Sequence, residues 1–398
     1  TNDFVVRAGT GHFSVKGAYT GGAAGSLSGI EMRPGFNILA GTVTLNGESS
    51  STNGTTDQAG IDIYKDAGSV KSVLEATKSF STSENAIRIS ASSSSVHAAL
   101  LGPSNSSTDN ITLRASGEKA GISISGSTSR ASSFGLWLAS LTIETKNGQT
   151  TIDSGDDDLS LGRDSGRIFT FKPVTGQIGG DLSITTSDLI DSTHMSINTA
   201  GTVSFAPSST SFDAAESFPS TSSTVSVGSL TVGSSTNTQT VTAGSPVTST
   251  GNITYSGGSF TQASSSATLS ATSSGSTIRI LADSSIALSG AVRASNNGIV
   301  LLEPRVSGTG IRVGGTNAST MLLTASELET HISTTTLRLG DRDRTGNVII
   351  NSNLNLTGKA QNLAIRSNAN VSAGAGVVVT VANLGIDAGG TISFPGTG

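Results

Sequence analysis

The chain has 398 residues, of which only 13% are charged, a net charge of −5, 49 glycines and no cysteine. The acidic balance provides no basic face for nucleic acid or an anionic membrane surface, so neither is expected as a partner, and the lack of cysteine excludes disulfide staples, thiolate metal sites and cysteine nucleophiles. Ser and Thr make up roughly three residues in ten, far above ordinary usage, yet β-branched residues recur at regular spacing throughout, which disordered chains lack.

Residues 1–86 read as irregular N-terminal coils or a cap. Phe4-Val5-Val6, Phe13-Ser14-Val15 and Thr42-Val43-Thr44-Leu45 are strands, interrupted by Gly21 to Gly25 and by Pro34-Gly35. Val70, Val73 and Leu74 stand at i, i+3 and i+4, which predicts one short helix over 69–79, placed to cover a sheet edge. Over 87–205 the pattern turns to period two: Ile87-Arg88-Ile89, Ile111-Thr112-Leu113, Ile122-Ser123-Ile124, Leu141-Thr142-Ile143 and Leu159-Ser160-Leu161 each alternate apolar, polar, apolar. Such triplets bury one face of a strand, and the Gly, Ser, Asn and Asp between them favour tight turns. Residues 206–250, with Pro207, Pro219 and Pro246 among Ser/Thr runs, read as looser coils and a soft boundary. Residues 251–398 form a second regular block, from Ile278-Arg279-Ile280 through Leu337-Arg338-Leu339 to Ile392-Ser393-Phe394. The longest apolar run, Gly376 to Val381, is far short of the about 20 residues of a membrane span. The start at Thr1, without Met or a signal-like segment, leads us to expect a processed or partial product.

Strands starting about 8 to 15 residues apart, two or three to a coil, predict an all-β fold: a parallel, right-handed β-helix solenoid. Its narrow core has little room for aromatic rings, which suits 12 Phe, 3 Tyr and 1 Trp.

Two stretches repeat. Leu182 to Phe205 and Leu322 to Ile350 share a strand, a Ser-acidic-Leu step (Ser187-Asp188-Leu189, Ser326-Glu327-Leu328) and a histidine (His194, His331). A third fragment matches in part, Leu159-x-Leu161-Gly162 against Leu337-x-Leu339-Gly340. With Thr345-Gly346-Asn347-Val348, these blocks resemble the repeats of filamentous-haemagglutinin-type adhesins, mainly over residues 140–205 and 275–395. The resemblance implies a parallel β-helix shaft of a secreted or surface-displayed fibre. The family's N-terminal secretion domain is not found in the sequence, and Gly340-Asp341-Arg342 is not an Arg-Gly-Asp.

Among candidate sites, Asp153, Asp156, Asp157, Asp158 and Asp164 form the densest acidic cluster, a solvated turn or a weak calcium site, although the Gly-Gly-x-Gly-x-Asp calcium repeat is missing. Asp341-Arg342-Asp343-Arg344 is expected to form ladder salt bridges to neighbouring coils or to an adjacent protomer, each contributing on the order of 0 to 1 kcal/mol. Sequons for N-glycosylation stand at Asn53, Asn105, Asn110, Asn252, Asn317, Asn355 and Asn370, about as many as chance supplies at this Ser/Thr content. His12 and His97 lie apart from each other and from His194 and His331; groups that recur with a repeat, such as His194 and His331 or Asp188 and Glu327, read as structural. The triplet Thr334-Thr335-Thr336 would bind ice or a surface only if repeated in register on many coils. No catalytic residue and no cofactor is assigned. The expected function is a non-catalytic, adhesive or structural shaft, extracellular or on the cell surface, associating with itself into a filament and contacting surface glycans. The alternative is a carbohydrate-active β-helix enzyme, a polysaccharide lyase or hydrolase, or a tail-spike-like glycan binder, which requires carboxylates and aromatics gathered on one sheet.

Overall fold

Alternating Val/Ile/Leu triplets can bury their apolar side only against a neighbouring triplet, and the chain supplies those neighbours by coiling. The computed structural model describes residues 4–20, 28–33, 35–50, 59–63, 71–94, 97–102, 111–129, 134–316 and 319–395. Strand pairs among these residues are parallel, as in a β-helix. Contacts divide the chain into two units, unit 1 (Thr1–Asp213 with Ser220–Ser226) and unit 2 (Ala214–Pro219 with Val227–Gly398).

Unit 1 has three strands to the coil. The first sheet runs through Phe4–Arg7, Phe36–Ala40, Ser72–Ala76, Ile111–Ala115, Leu141–Thr145, Phe169–Pro173 and Met195–Asn198. The second contains His12–Tyr19, Thr42–Ser49, Glu84–Ser93, Ala120–Thr128, Thr150–Asp153, Leu182–Thr186 and Thr202–Pro207. The third holds Ile30–Met32, Ala59–Ile63, His97–Leu101, Phe134–Leu138, Asp158–Leu161 and Asp188–Leu189. Register turns the alternation into ladders. Ile38, Leu74, Leu113, Ile143, Phe171 and Ile197 stack along the first sheet, and Leu45, Ile89, Ile124, Ile152, Ile184 and Phe205 along the second. All twelve are buried, and they form the core. The coils before residue 87, expected to be irregular, carry full-length rungs: His12–Tyr19 pairs residue for residue with Thr42–Ser49.

The helix expected over 69–79 is not formed where the chain is described; Ser69 and Val70 lie outside the described residues. Ser72–Ala76 is a strand with Ser72, Leu74 and Ala76 inward. Val73 and Leu74 therefore face opposite ways, and ladder partners Ile38 and Leu113 on either side of Leu74 override the helical spacing. Outward, Glu75, Arg114, Glu144 and Lys172 alternate in sign over four coils, with Arg114 Nε 2.6 Å from Glu144 and Lys172 Nζ 3.3 Å from it.

One core position breaks the pattern. Thr150 sits between Ile122 and Leu182 in the second-sheet ladder, fully buried, and its hydroxyl has no hydrogen-bond partner among the described residues. An unpaired buried hydroxyl costs about 1 to 3 kcal/mol. Thr150→Val is accordingly expected to stabilise unit 1 by about 1 kcal/mol, read as a higher urea midpoint at unchanged m-value; an equal or lower midpoint would refute the assignment.

Unit 2 continues the scheme with longer strands that turn a corner without breaking. Val292–Glu303 and Ile332–Leu339 each span two sheets. Its third sheet contains an insertion. Gly310–Val313 comes first in the chain, yet Thr320–Leu323 pairs beside it and bridges back to Ser285 through Leu322. Gly314 and Gly315, at φ 79° and 78°, end the first of these two parallel strands, in a backbone region that side chains disfavour. The inserted strand leads into helix α1 (Ala325–His331). The Ser-acidic-Leu step that follows the strand here lies in a helix opened by a capping box: Thr324 Oγ1 accepts the Glu327 N–H and the Glu327 carboxylate accepts the Thr324 N–H at 2.9 Å. The other oxygen of Glu327 accepts the Leu288 N–H at 3.0 Å, Glu329 accepts the Asn355 N–H at 2.7 Å, and Leu328 is buried, so the helix is tied to the coils on both sides of it. Among the described residues no helix is long and apolar enough to cross a membrane.

Candidate functional site

The acidic cluster is only partly assembled. Asp164 turns away into a local hairpin with Arg167 and the Gly166 N–H. Asp153 accepts the Gly155 N–H at 2.9 Å, and Asp156 accepts from the Ser208 hydroxyl at 3.1 Å. Asp157 clamps Thr128, taking its N–H at 2.6 Å and its hydroxyl at 3.2 Å. Among the described residues no three His, Asp or Glu side chains are grouped so as to hold a metal ion.

Asp158 behaves differently. On the third sheet of unit 1 its register partner is Asp188, and the next coil adds Asp213, whose N–H donates to the Ser187 carbonyl at 3.0 Å. Leu159 and Leu161 point into the core, so Asp158 and Ser160 look outward. Burial pushes the Asp158 carboxyl up to about 6, with Asp188, then Asp157 and Asp213, adding like-charge repulsion. The folded chain thus binds the Asp158 proton more tightly than the unfolded chain does. Its stabilising contribution is fully present below about pH 4 and disappears as pH rises through about 6, because ionisation then places charge beside charge. Asp158 is only half-buried, so solvent screening reduces the effect to about 1 kcal/mol. Asp158→Asn should remove this slope and raise the urea midpoint at pH 7 relative to wild type; a variant that keeps the wild-type slope between pH 4 and 7 would contradict the assignment.

Beside the carboxylates lie aromatic rings. Phe134 is the register neighbour of both His97 and Asp158. The His97, Phe134 and Trp137 rings pack at centroid distances of 5.4 to 5.6 Å, with the Arg163 guanidinium 5.6 Å from the Trp137 ring centre. Register along the third sheet of unit 1 thereby brings His97, Phe134, Asp158 and Asp188 to successive coils. In the sequence Asp157 and Asp158 are visible as a run, but Asp188, Asp213 and His97 reach the site only through coil stacking.

The remaining candidates are dispersed. His12 Nδ1 lies 2.6 Å from the Thr42 hydroxyl and His194 Nδ1 2.9 Å from the Thr193 hydroxyl, while His331 closes α1. Thr334 donates to the Gly298 carbonyl and Thr336 accepts from Asn362, so the triplet works as a corner brace and presents no flat threonine array. Of the charged run 341–344, Arg342 pairs with Asp387 and Arg344 with Glu303 on neighbouring coils, whereas Asp341 pairs locally with Arg338, three residues before it. Of the sequons, Asn53, Asn105, Asn110 and Asn317 lie outside the described residues. Asn252, Asn355 and Asn370 are exposed, and each side-chain carbonyl caps a backbone N–H, of Thr277, Thr357 and Thr391 respectively.

Comparison with known proteins returns no match to a family, to a curated protein or to a solved structure.

Proposed function

We propose that the chain is a non-catalytic, stiff shaft segment of an extracellular or cell-surface fibre, which stacks end to end on further copies. The observation that carries this reading is the stacking of parallel coils in register, with apolar ladders such as Ile38, Leu74, Leu113, Ile143, Phe171 and Ile197 running from coil to coil. Ladders of unit 2 run on to Leu384 and Ile392, 46% and 51% exposed, beside the core residues Leu363 and Val371; a further coil seated on Asn383–Ala388 would bury them, and such a strand edge accepts another strand. The resemblance of the repeats to adhesin shafts supports the same reading. Sedimentation velocity and negative-stain microscopy across a concentration series should show rods lengthening in whole-chain steps, and Leu384→Lys with Ile392→Lys should abolish them while leaving the circular dichroism unchanged. Monomers alone at every concentration would sink the proposal.

A second reading, a glycan hydrolase, is favoured by the Asp158–Asp188 rung. Neighbouring parallel strands lie about 4.8 Å apart, near the roughly 5 to 5.5 Å carboxyl separation of retaining glycosidases. The raised Asp158 would serve as acid and Asp188 as nucleophile, with Trp137 and Phe134 beside them. Reducing-sugar release from a polysaccharide panel, lost in both Asp158→Asn and Asp188→Asn, would support it; no release from any polymer would eliminate it.

A further inference from the structure

A groove of about 780 Å³ follows one corner of unit 2, across four successive coils. Its wall is a bulge. Between the rungs Ala294↔Thr334 and Ile299↔Thr336 one coil uses five residue steps where its neighbour uses two. The surplus is taken up at Asn296 and Asn297, both left-handed at φ 49° and 64°. The wall is held by two cross-coil hydrogen bonds: the Asn297 N–H donates to Thr335 Oγ1 at 3.1 Å, and the Thr334 hydroxyl to the Gly298 carbonyl at 2.8 Å. Bulges re-aim side chains and are built features of a sheet.

The lining has a definite chemistry. In a chain of net charge −5 the groove is lined by Arg293 and Lys359 and by no Asp or Glu. Arg293 is exposed in the outward row Ser270–Arg293–Ser333 and has no ion-pair partner among the described residues, and Lys359 Nζ touches only the Thr330 carbonyl, at 3.4 Å. The nearby carboxylate on α1, Glu329, is engaged by the Asn355 N–H. Ser295, Asn296, Ser333 and Gln361 add hydroxyl and amide groups, and no aromatic side chain lines the groove. Two cations that form no ion pair among the described residues, set among hydroxyl and amide groups, suit a polyhydroxylated anion. The planar guanidinium fork matches a carboxylate in two parallel hydrogen bonds.

We propose that this corner groove binds a uronate-bearing oligosaccharide, with Arg293 taking the sugar carboxylate and Lys359 a second one. The proposal does not rest on end-to-end stacking or on the carboxylates of unit 1, although Thr380, Val381 and Ala382 of the groove adjoin the strand Asn383–Ala388. Calorimetry of the full chain with oligogalacturonate, a neutral maltooligosaccharide of equal length, dextran sulfate and poly-glutamate tests it. Saturable binding of oligogalacturonate alone, weakened about tenfold or more by Arg293→Gln and also by Lys359→Gln, is the expected result. Arg293→Lys should recover only part of the affinity, since an ammonium cannot make the paired contact. No binding, equal binding of the neutral sugar, equal binding of dextran sulfate or poly-glutamate, or affinity unchanged in both glutamine variants would each overturn it. Arg293 is exposed and Lys359 part-exposed in a turn, and unchanged circular dichroism of the variants separates lost binding from lost fold.

Discussion

Glu303→Ala is expected to destabilise unit 2 by about 3 kcal/mol, because it leaves the Arg279 and Arg344 guanidinium groups without the buried carboxylate that faces them. Glu303 is fully buried. One of its oxygens accepts Arg279 Nε at 2.6 Å, and Arg344 Nε lies 3.9 Å from the other. Arg344 in turn donates to the Arg305 carbonyl at 3.0 Å, and Arg305, only 10% exposed, pairs with Asp283 at 2.6 Å. Arg279 is 41% exposed and can rehydrate when the carboxylate goes, whereas Arg344 at 19% has less access to water; hence a cost at the low end of the roughly 3 to 5 kcal/mol for breaking a buried pair. Glu303→Gln keeps an acceptor for Arg279 and should cost less. Replacing Glu303 and Arg344 together by leucine should recover much of the loss, since a well-packed apolar pair is often as stable as a buried ion pair. Urea unfolding ranks the four chains; Glu303→Ala within about 0.5 kcal/mol of wild type would show that the network is already solvated.

None of that network could be paired from the sequence, although its strands could be read. Period-two triplets such as Ile122-Ser123-Ile124 report that one face is buried, which needs no knowledge of the neighbour. Which triplet lies beside which depends on coil length, and that varies: the alternating row joins Arg114 to Glu75 across 39 positions and to Glu144 across 30. For the same reason the two similar stretches fall out of phase on the coils. Leu182–Thr186 lies on a second sheet but Leu322 on a third, and Leu159-x-Leu161 on a third but Leu337-x-Leu339 on a second. What Leu-x-Leu-Gly encodes is local, a strand leaving through a left-handed glycine, Gly162 at φ 65° and Gly340 at φ 75°. The histidines do correspond, each standing immediately before a first-sheet strand, Met195–Asn198 and Ile332–Leu339. The missed helix had a legible signal in Thr324-x-x-Glu327, followed by Leu328 and Glu329. After Asp188 the chain continues Ile190-Asp191-Ser192-Thr193, poor helix formers, and there the same Ser-acidic-Leu step stays extended. In the acid site Asp157 and Asp158 were apparent, but the residue that raises the Asp158 carboxyl most after burial, Asp188, arrives from the next coil.

Phe171→Ala is expected to have the largest effect in unit 1, about 3 to 5 kcal/mol, and to act locally. Phe171 is fully buried between Ile143 and Ile197 in the first-sheet ladder. Its truncation removes apolar contact and leaves a cavity that flanking rungs cannot fill, because their Cα positions are held by backbone hydrogen bonds to the coils beyond. Phe171→Leu retains most of the volume and should cost under about 1.5 kcal/mol. Where the loss appears is as informative as its size. In a stack each coil contacts only its neighbours, so stability is a sum of coil terms and nearest-neighbour interfaces. Amide exchange in Phe171→Ala should therefore accelerate in Leu141–Thr145, Phe169–Pro173 and Met195–Asn198, while Phe36–Ala40, four rungs away in the same sheet, keeps its protection. Uniform acceleration across all of these strands would mean that unit 1 opens as one cooperative body, and the stiffness proposed for the shaft would then have to reside in the whole unit instead of in coil-to-coil interfaces.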